Sequence, residues 1–277
     1  MKPAEVLFFY RIFNWRGKIS CLRPLAYTAL GYALAGHWEM PAAIGNALAI
    51  LGILACSYAV NDYYDYQLKG EDNFAAFLSR SGKMPRGVVL ALGFLPLILC
   101  VFLPWNSALP VILAGVLLVL TILYSLPPFR LKERKVIGFA VPPLCAVVIF
   151  FQGYFIFGLD VPQIRLFGVI VLLFHLYVET LHQIADLVGG EGRTGSNMRR
   201  LVALTRLFPA LSLLLSVVFA LYNPWFLVTT FFSAVRLAAV RRTDLEGEIF
   251  RIRKRFLSPV WSVYEFAVYG LLGILGF

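Results

Sequence analysis

Charged residues are scarce in this sequence, and their scarcity sets the class of protein. Only 14% of the 277 residues are charged, whereas 60% are hydrophobic and the mean hydropathy is +0.79. A soluble domain carries about 25% charged residues, so a soluble fold is excluded. The apolar runs are continuous rather than alternating, which excludes membrane-spanning strands. The sequence therefore predicts an α-helical integral membrane protein.

Acidic residues and cysteines are also few. The chain has 15 acidic residues against 25 basic ones, which gives a formal net charge of +10. Lys and Arg of a membrane protein collect in its cytoplasmic loops, so this charge does not indicate a nucleic-acid partner. The cysteines have no paired spacing, which argues against a disulfide framework or a thiolate metal site. They are Cys21, Cys56, Cys100 and Cys145.

The apolar runs predict nine membrane-spanning helices in a single transmembrane domain, residues 1–277. The predicted spans are 22–35, 41–66, 88–104, 108–125, 136–157, 166–186, 201–221, 224–240 and 257–277. Residues 1–21 mix basic and aromatic side chains and predict an amphipathic segment at the membrane interface rather than a signal peptide. The expected fold is an all-α bundle.

Basic residues predict the orientation of this bundle. With nine spans, 24 of the 25 Lys and Arg residues fall on one side, and only Arg165 falls on the other. We therefore expect a multi-pass protein of the cell membrane whose N-terminus is cytoplasmic. The longer loops, 67–87 and 187–200, follow carboxylate-bearing helices on this cytoplasmic side, so we expect them to cap a cytoplasmic active site.

Two carboxylates and an amide close the second predicted span. Asn61, Asp62 and Asp65 lie within roughly a 100° arc of one helix face. Burying charge at membrane depth costs a few kcal/mol per group, so such residues usually mark a functional site. Carboxylate and amide oxygens on one face suit a hard cation that is shared with a phosphate. The sequence predicts a cation site here.

A second polar stripe closes the sixth span. Glu179, His182, Gln183 and Asp186 follow the spacing i, i+3, i+4, i+7 and therefore share one helix face. The following loop is rich in glycine, and we expect it to close over a ligand. Glu179 or His182 is a candidate for orienting or deprotonating an acceptor.

Basic residues after the fourth span have two possible roles. Tyr124, Ser125 and two prolines end that span, and Arg130 and Lys132 emerge just beyond it. These cations suit either positive-inside anchoring or contact with a phosphate. The same alternatives apply to Arg80, Lys83 and Arg86 in the loop after the first acidic cluster.

Together these motifs resemble the UbiA-type intramembrane prenyltransferases. The resemblance rests on Asn61-Asp62-x-x-Asp65, on the Tyr-Ser-x-Pro-Pro-x-Arg-Leu-Lys run from Tyr124 to Lys132, and on an acidic motif after the sixth span. It implies nine helices around a central cavity. It also implies Mg²⁺-dependent ionisation of an isoprenyl diphosphate and transfer of the prenyl group to an aromatic or lipid acceptor.

The resemblance also implies roles for individual residues. The implied catalytic residues are Asp62, Asp65, Asp186 and Tyr124, and the implied metal ligands are Asn61, Asp62, Asp65 and Asp186. The candidate diphosphate ligands are Lys69, Arg80, Lys83, Arg130 and Lys132. The candidates for acceptor contact or for support of the site are Glu179, His182, Gln183, Asp72 and Glu191. The implied partners are the donor, the acceptor and membrane lipid.

The sequence departs from the family pattern at two acidic positions. Lys69 stands where the first motif usually has its third Asp, and Gly190 stands where the second motif usually has another Asp. Either Asp72 and Glu191 rebuild the metal sites, or fewer carboxylates are used and the ammonium of Lys69 replaces a cation.

Other functions remain open at this stage. Within the same fold, the alternatives are an intramembrane terpene cyclase, a transferase of another diphosphate-activated group and a non-catalytic relative. A transporter coupled to protons or other ions is the alternative of a different class. Acidic clusters at helix ends beside basic loops favour a diphosphate over an ion pathway.

Overall fold

The computed structural model describes residues 22–36, 39–70, 108–157, 162–189 and 196–241, with short pieces at 76, 87–89, 91–92, 94–95, 264–265 and 267–271. Side chains are not described for 22, 135, 185, 186, 188, 189, 196, 197 and 241. The predicted interfacial segment, Asp72, Arg80, Lys83, Arg86 and Glu191 all lie outside the described residues.

Seven long helices account for most of the described chain. They are α1 (Leu22–Ala35), α2 (Met40–Lys69), α3 (Ala108–Ser125), α4 (Lys135–Phe155), α5 (Pro162–Gly189), α6 (Ser196–Ala220) and α7 (Trp225–Arg241). Helical residues also lie within the predicted spans 88–104 and 257–277. The described residues contain no strand. The prediction of an all-α fold is confirmed, and these elements are consistent with nine helices.

Five of the described helices are long and apolar enough to span a membrane. These stretches are Met40–Lys69, Ala108–Ser125, Val136–Phe155, Pro162–Ile184 and Met198–Ala220, and Trp225–Val240 is shorter but also apolar. Large apolar side chains point outward along them, for example Ile112 on α3 and Leu214 on α6. Polar side chains such as Gln152 and Ser212 are fully buried. Apolar outer faces and hydrogen-bonded polar interiors are what a lipid solvent favours.

The chain divides into two compact units. The first comprises residues 1–141, 148–159 and 262–277, and the second comprises 142–147 and 160–261. In the first unit, α1, α2 and α4 share a buried hydrogen-bond network. Asn46 donates to Tyr32 Oη at 2.9 Å, and Gln152 donates to Asn46 Oδ1 at 2.8 Å. Cys56 and Cys145 are buried, and neither forms a disulfide bond with another described residue.

The second unit joins α5, α6 and α7. Its core packs Tyr177, Leu181 and Ile184 of α5 against Met198 of α6 and Val240 of α7. Two hydroxyl pairs connect α6 to α7 at 2.9 Å each, Ser212 with Ser233 and Ser216 with Thr229. Small hydroxyl-bearing residues allow close approach of helices and satisfy each other in an apolar environment.

The chain ends α2 at Lys69 for a local reason. Gly70 has φ 68°, in the left-handed region, and its N–H group bonds back to the carbonyls of Asp65 and Tyr66. Glycine adopts this conformation without the steric penalty of a Cβ atom. The helix therefore extends three residues beyond the predicted span 41–66, and this extension keeps Lys69 on it.

Glycine also permits a close approach between α1 and α4. A Cβ atom added to Gly31 would lie 2.5 Å from the backbone nitrogen of Tyr154 and 2.6 Å from the carbonyl oxygen of Phe150. We expect Gly31→Ala to lower the free energy of unfolding by about 1–3 kcal/mol, because backbone atoms must shift to accept the methyl group. Unfolding in detergent by heat or denaturant measures this loss.

Gly115→Ala is the matched control for this substitution. Gly115 lies within α3, and a Cβ atom there meets nothing within 4 Å. We expect this variant to keep or slightly raise stability, because alanine favours the helix. Equal stability of Gly31→Ala and the unmodified chain would contradict the close approach.

Candidate functional site

The first unit contains a cluster of charged side chains where α2 and α3 end. Asp62 and Asp65 are each only 5% exposed, although both are carboxylates. Asn61 lies on the same side of α2 and donates from Nδ2 to Asp65 Oδ2 at 2.9 Å. Ser125, the last residue of α3, donates to Asn61 Oδ1 at 3.0 Å. These bonds join the two helix ends.

The turn after α3 delivers two cations to this cluster. A cis peptide bond joins Pro127 and Pro128, and a short 3₁₀ helix, Leu131–Glu133, follows. Arg130 precedes this helix with φ 35° and ψ 58°. A non-glycine residue in this left-handed region costs on the order of 1 kcal/mol or more, and such strain concentrates at functional sites. The strained turn places the Arg130 side chain inside the cluster, where it is 6% exposed.

Asp65 receives both cations of the turn. Arg130 Nη2 donates to Asp65 Oδ1 at 3.1 Å, and Lys132 Nζ contacts the same oxygen. Lys132 also donates to Asn61 Oδ1 at 2.7 Å. Partly buried charge-assisted bonds of this kind are stronger than neutral ones. The oxygens of Asp65 and Asn61 are therefore engaged by protein donors in this structure.

Glu133 extends the cluster on its exposed side. Its Oε1 lies 2.8 Å from Arg130 Nη2 and 3.7 Å from Lys69 Nζ. Both Glu133 and Lys69 are about half exposed. Lys69, which replaces a carboxylate of the family pattern, is thus paired with Glu133, a carboxylate of the turn.

Arg130 has hydrogen-bond donors that no described residue accepts. Its Nη2 atom serves both Asp65 and Glu133, whereas Nε and Nη1 are buried with no partner among the described residues. A guanidinium has five N–H donors, so three of them are available. Buried donors without partners are costly, which makes this group a candidate for binding an anion.

The surroundings shift the pKa values of the charged side chains in this turn in different directions. Burial acts to lower the pKa of Arg130, but its bonds to Glu133 and Asp65 outweigh burial and raise it. Burial lowers the pKa of Lys132, with help from the nearby charges of Arg130 and Lys69, and Asp65 offsets this only in part. The hydrogen bond from Arg130 lowers the pKa of Glu133. Arg130 is therefore a permanent cation, and Lys132 releases its proton more easily than an ordinary lysine.

The donor set has the chemistry that Mg²⁺ requires, but not the geometry of a closed site. Carboxylates at positions 62 and 65 with the amide of Asn61 are hard oxygen ligands, and Mg²⁺ usually takes its remaining ligands from water and phosphate. Among the described residues, no three His, Cys, Asp or Glu side chains converge as a metal centre. These oxygens would hold a Mg²⁺ ion only together with further oxygens, which a phosphate would supply.

The second unit carries the other polar stripe on α5. Glu179 Oε2 lies 3.6 Å from His182 Nδ1, with Glu179 14% and His182 47% exposed. Gln183 is partly buried. The backbone at position 186 is helical, so Asp186 stays on the predicted stripe, but its side chain is not among those described.

Three residues of these clusters escaped the sequence prediction. Ser125 and Glu133 bond directly to the first cluster. His175 is partly buried and lies four residues before Glu179, so it continues the stripe of α5 by one turn. The i, i+4 spacing of His175 was a usable signal, and Ser125 belongs to the Tyr124–Lys132 motif, whereas nothing local in the sequence marks Glu133. Tyr124 is partly buried beside Ser125.

Comparisons with known proteins identify the fold. No family model matches the chain, and no curated protein matches it in sequence. Solved structures do match: a UbiA homolog from Archaeoglobus fulgidus bound to GPP and Mg²⁺ superimposes with a TM-score of 0.76 at 16% identity, covering 98% of this chain and 99% of the other. The same homolog bound to DMAPP and Mg²⁺ gives a TM-score of 0.72 at 16% identity, covering 98% of both chains.

Another solved structure gives a similar result. A digeranylgeranylglyceryl phosphate synthase matches with a TM-score of 0.68 at 16% identity, covering 99% of this chain and 97% of the other. The likeness extends over nearly the whole length of each protein, and it agrees with the helices described above. This chain therefore has the UbiA-type prenyltransferase fold.

Proposed function

We propose that this membrane protein is a prenyltransferase that cleaves an isoprenyl diphosphate and transfers the prenyl group to an aromatic or lipid acceptor. One observation carries the proposal: Arg130, held inside the cluster with Asp65, has three N–H donors that no described residue accepts, beside the ammonium of Lys132. Two adjacent cations with spare donors suit the oxygens of a diphosphate. Structures of this fold bound to GPP and DMAPP with Mg²⁺ support it.

The basic turn stabilises the leaving group. When the bond between the allylic carbon and the diphosphate oxygen breaks, its electron pair goes to that oxygen. Arg130 and Lys132 then neutralise the added charge by donating hydrogen bonds from fixed positions. The carboxylates of Asp62, Asp65 and Asp186 are the proposed ligands of Mg²⁺, which would further neutralise the diphosphate when bound. Lys69 adds a cation at the exposed edge, and Arg80 and Lys83 are proposed contacts from the following loop.

Aromatic residues near the cluster suit the carbocation that remains. Tyr63 and Tyr64 pack edge to face with ring centroids 5.2 Å apart, next to Asp62. Tyr124 precedes Ser125 at the end of α3. The electron-rich faces of such rings stabilise a cation by about 0.5–2 kcal/mol each. We assign these three residues to protection of the allylic cation.

The pair formed by Glu179 and His182 is the proposed base for the acceptor. Glu179 Oε2 lies 3.6 Å from Nδ1 of His182, and Nε2 on the other side of the ring is the proposed proton acceptor. The acceptor forms its bond to the allylic carbon and gives its proton to Nε2. Gln183, Asp72 and Glu191 are proposed to support the acceptor or the second acidic motif. The protein is proposed to lie in the cell membrane, with its active site and its N-terminus facing the cytoplasm.

Product analysis tests the proposed function directly. Purified protein is incubated with prenyl diphosphates of several lengths and a membrane lipid extract, with Mg²⁺ or with EDTA. We expect inorganic diphosphate release and an acceptor whose mass rises by one prenyl group, both only with Mg²⁺. Mass spectrometry identifies the donor length and the acceptor together.

Other outcomes of this experiment contradict prenyl transfer. Diphosphate release with a cyclic hydrocarbon product indicates a cyclase of the same fold. Flux of an ion through proteoliposomes without any diphosphate cleavage indicates a transporter. Release in EDTA equal to that in Mg²⁺ contradicts the metal requirement.

Substitution of Arg130 tests its role at the diphosphate. Arg130→Lys keeps the charge but loses the planar donor set, so we expect the KM for the prenyl diphosphate to rise at least about tenfold, the loss of one charge-assisted hydrogen bond. Steady-state kinetics measures this rise. Arg134→Lys is the matched control, because Arg134 is exposed in the same turn. Equal KM values in the two variants would refute the assignment.

The pKa of Lys132 predicts a pH dependence. Because burial lowers this pKa below the usual lysine range, kcat/KM for the diphosphate should fall as the pH rises through that lowered value. Arg130 does not cause this decline, because its pKa is raised. Lys132→Arg should move the alkaline decline to higher pH, whatever its effect on the maximum rate. An unmoved decline would assign the titration to another group.

A further inference from the structure

In this structure, the carboxylate of Asp65 is already paired with cationic side chains of the protein itself. Lys132 Nζ contacts Oδ1, Arg130 Nη2 donates to the same oxygen, and Asn61 donates to Oδ2. Both carboxylate oxygens therefore face positive or donating groups. A divalent ion can reach Asp65 only if some of these contacts open.

The charges around Asp65 also oppose a free divalent ion. Lys69, Arg130 and Lys132 form ion pairs with Asp65 and Glu133, and the buried Asp62 is a third carboxylate of the same cluster. The three cations balance these carboxylates, so an added ion of charge +2 finds no unpaired negative charge in this partly buried site. A diphosphate reverses this balance, because it brings its own negative charges.

We propose that Lys132 is the resident counter-ion of Asp65, and that Asp65 accepts Mg²⁺ only when a diphosphate takes Lys132 and Arg130 away. In the substrate-free protein, Lys132 neutralises Asp65. An arriving diphosphate accepts hydrogen bonds from Lys132 and from the spare donors of Arg130, which frees Oδ1 of Asp65. The inference rests on the proposed function, because it concerns how the same diphosphate enters.

This exchange makes the two ligands interdependent. If the diphosphate raises the affinity for Mg²⁺ by removing Lys132 from Asp65, then Mg²⁺ raises the affinity for the diphosphate by the same factor. The site therefore selects a diphosphate together with its metal, and free Mg²⁺ does not occupy it beforehand. The chain achieves this with Lys132, whose side chain is only 13% exposed and has two acceptors within reach.

Titration with Mg²⁺ alone, without any diphosphate, tests the exchange. Isothermal titration calorimetry is carried out on the purified full chain in detergent. Lys132→Met removes the resident counter-ion, so we expect it to bind Mg²⁺ alone at least about tenfold more tightly than the unmodified chain. In EDTA, the same variant should bind inorganic pyrophosphate at least about tenfold more weakly. The two shifts have opposite signs, which general loss of folding does not produce.

Matched variants distinguish the release of Asp65 by Lys132 from a general effect of removing a nearby positive charge. Arg134→Met removes one exposed cation from the same turn and should leave Mg²⁺ affinity within about twofold of the unmodified chain. The double variant Lys132→Met with Asp65→Asn should lose the gain in Mg²⁺ affinity, because the freed oxygen is then absent. If Lys132→Met fails to fold, Lys132→Gln removes the charge while it keeps a donor for Asn61.

Two results would overturn the proposal. One is a Lys132→Met or Lys132→Gln variant that binds Mg²⁺ alone no more tightly than the unmodified chain. The other is a gain in Mg²⁺ affinity that persists when Asp65→Asn is added to Lys132→Met. Both readouts are binding measurements, so they do not depend on turnover. If Lys132→Met gains Mg²⁺ affinity but the protein transfers no prenyl group, the proposed function is contradicted and the exchange is not.

Discussion

The ion pairs of Asp65 with Arg130 and Lys132 are the interaction on which this region depends. Asp65 is buried on α2, and its partners come from a turn that follows α3, 65 and 67 residues along the chain. Removing one partner of a buried pair leaves an uncompensated charge, which costs about 3–5 kcal/mol. This cost explains how the turn holds Arg130 in a strained backbone conformation. The same contacts fix the two cations where an anion can meet both.

Much of the fold is predictable from the sequence because the membrane imposes one simple pattern. The predicted span 108–125 coincides with α3, and the other described helices begin and end within a few residues of their predictions. The differences have local causes, such as Gly70, which caps α2 after Lys69. The network of Asn46, Tyr32 and Gln152 was not predictable, because its bonds join three different helices, one of them more than 100 residues away.

Most residues of the candidate site could be predicted from the sequence, but most of the contacts between them could not. Helical spacing places Asn61, Asp62 and Asp65 on one face, and the structure keeps them there. The sequence left Arg130 and Lys132 equally suited to membrane anchoring and to phosphate contact. Their bonds to Asp65 depend on the conformation of a proline-containing turn, which helical periodicity does not describe. Glu133 escaped prediction for the same reason, because only this turn brings it to Arg130.

The distribution of charge around Asp65 also bears on the class of function. A pathway for protons or metal cations needs carboxylates that alternate between an empty and an occupied state. Asp65 instead is engaged by two protein cations, and Lys69 adds a third beside Glu133. In such an arrangement the carboxylate of Asp65 has no unpaired charge for a lone cation, whereas a polyanion can replace it as the partner of Arg130 and Lys132. The charges of the described cluster thus support diphosphate chemistry over cation transport, independently of any likeness to known structures.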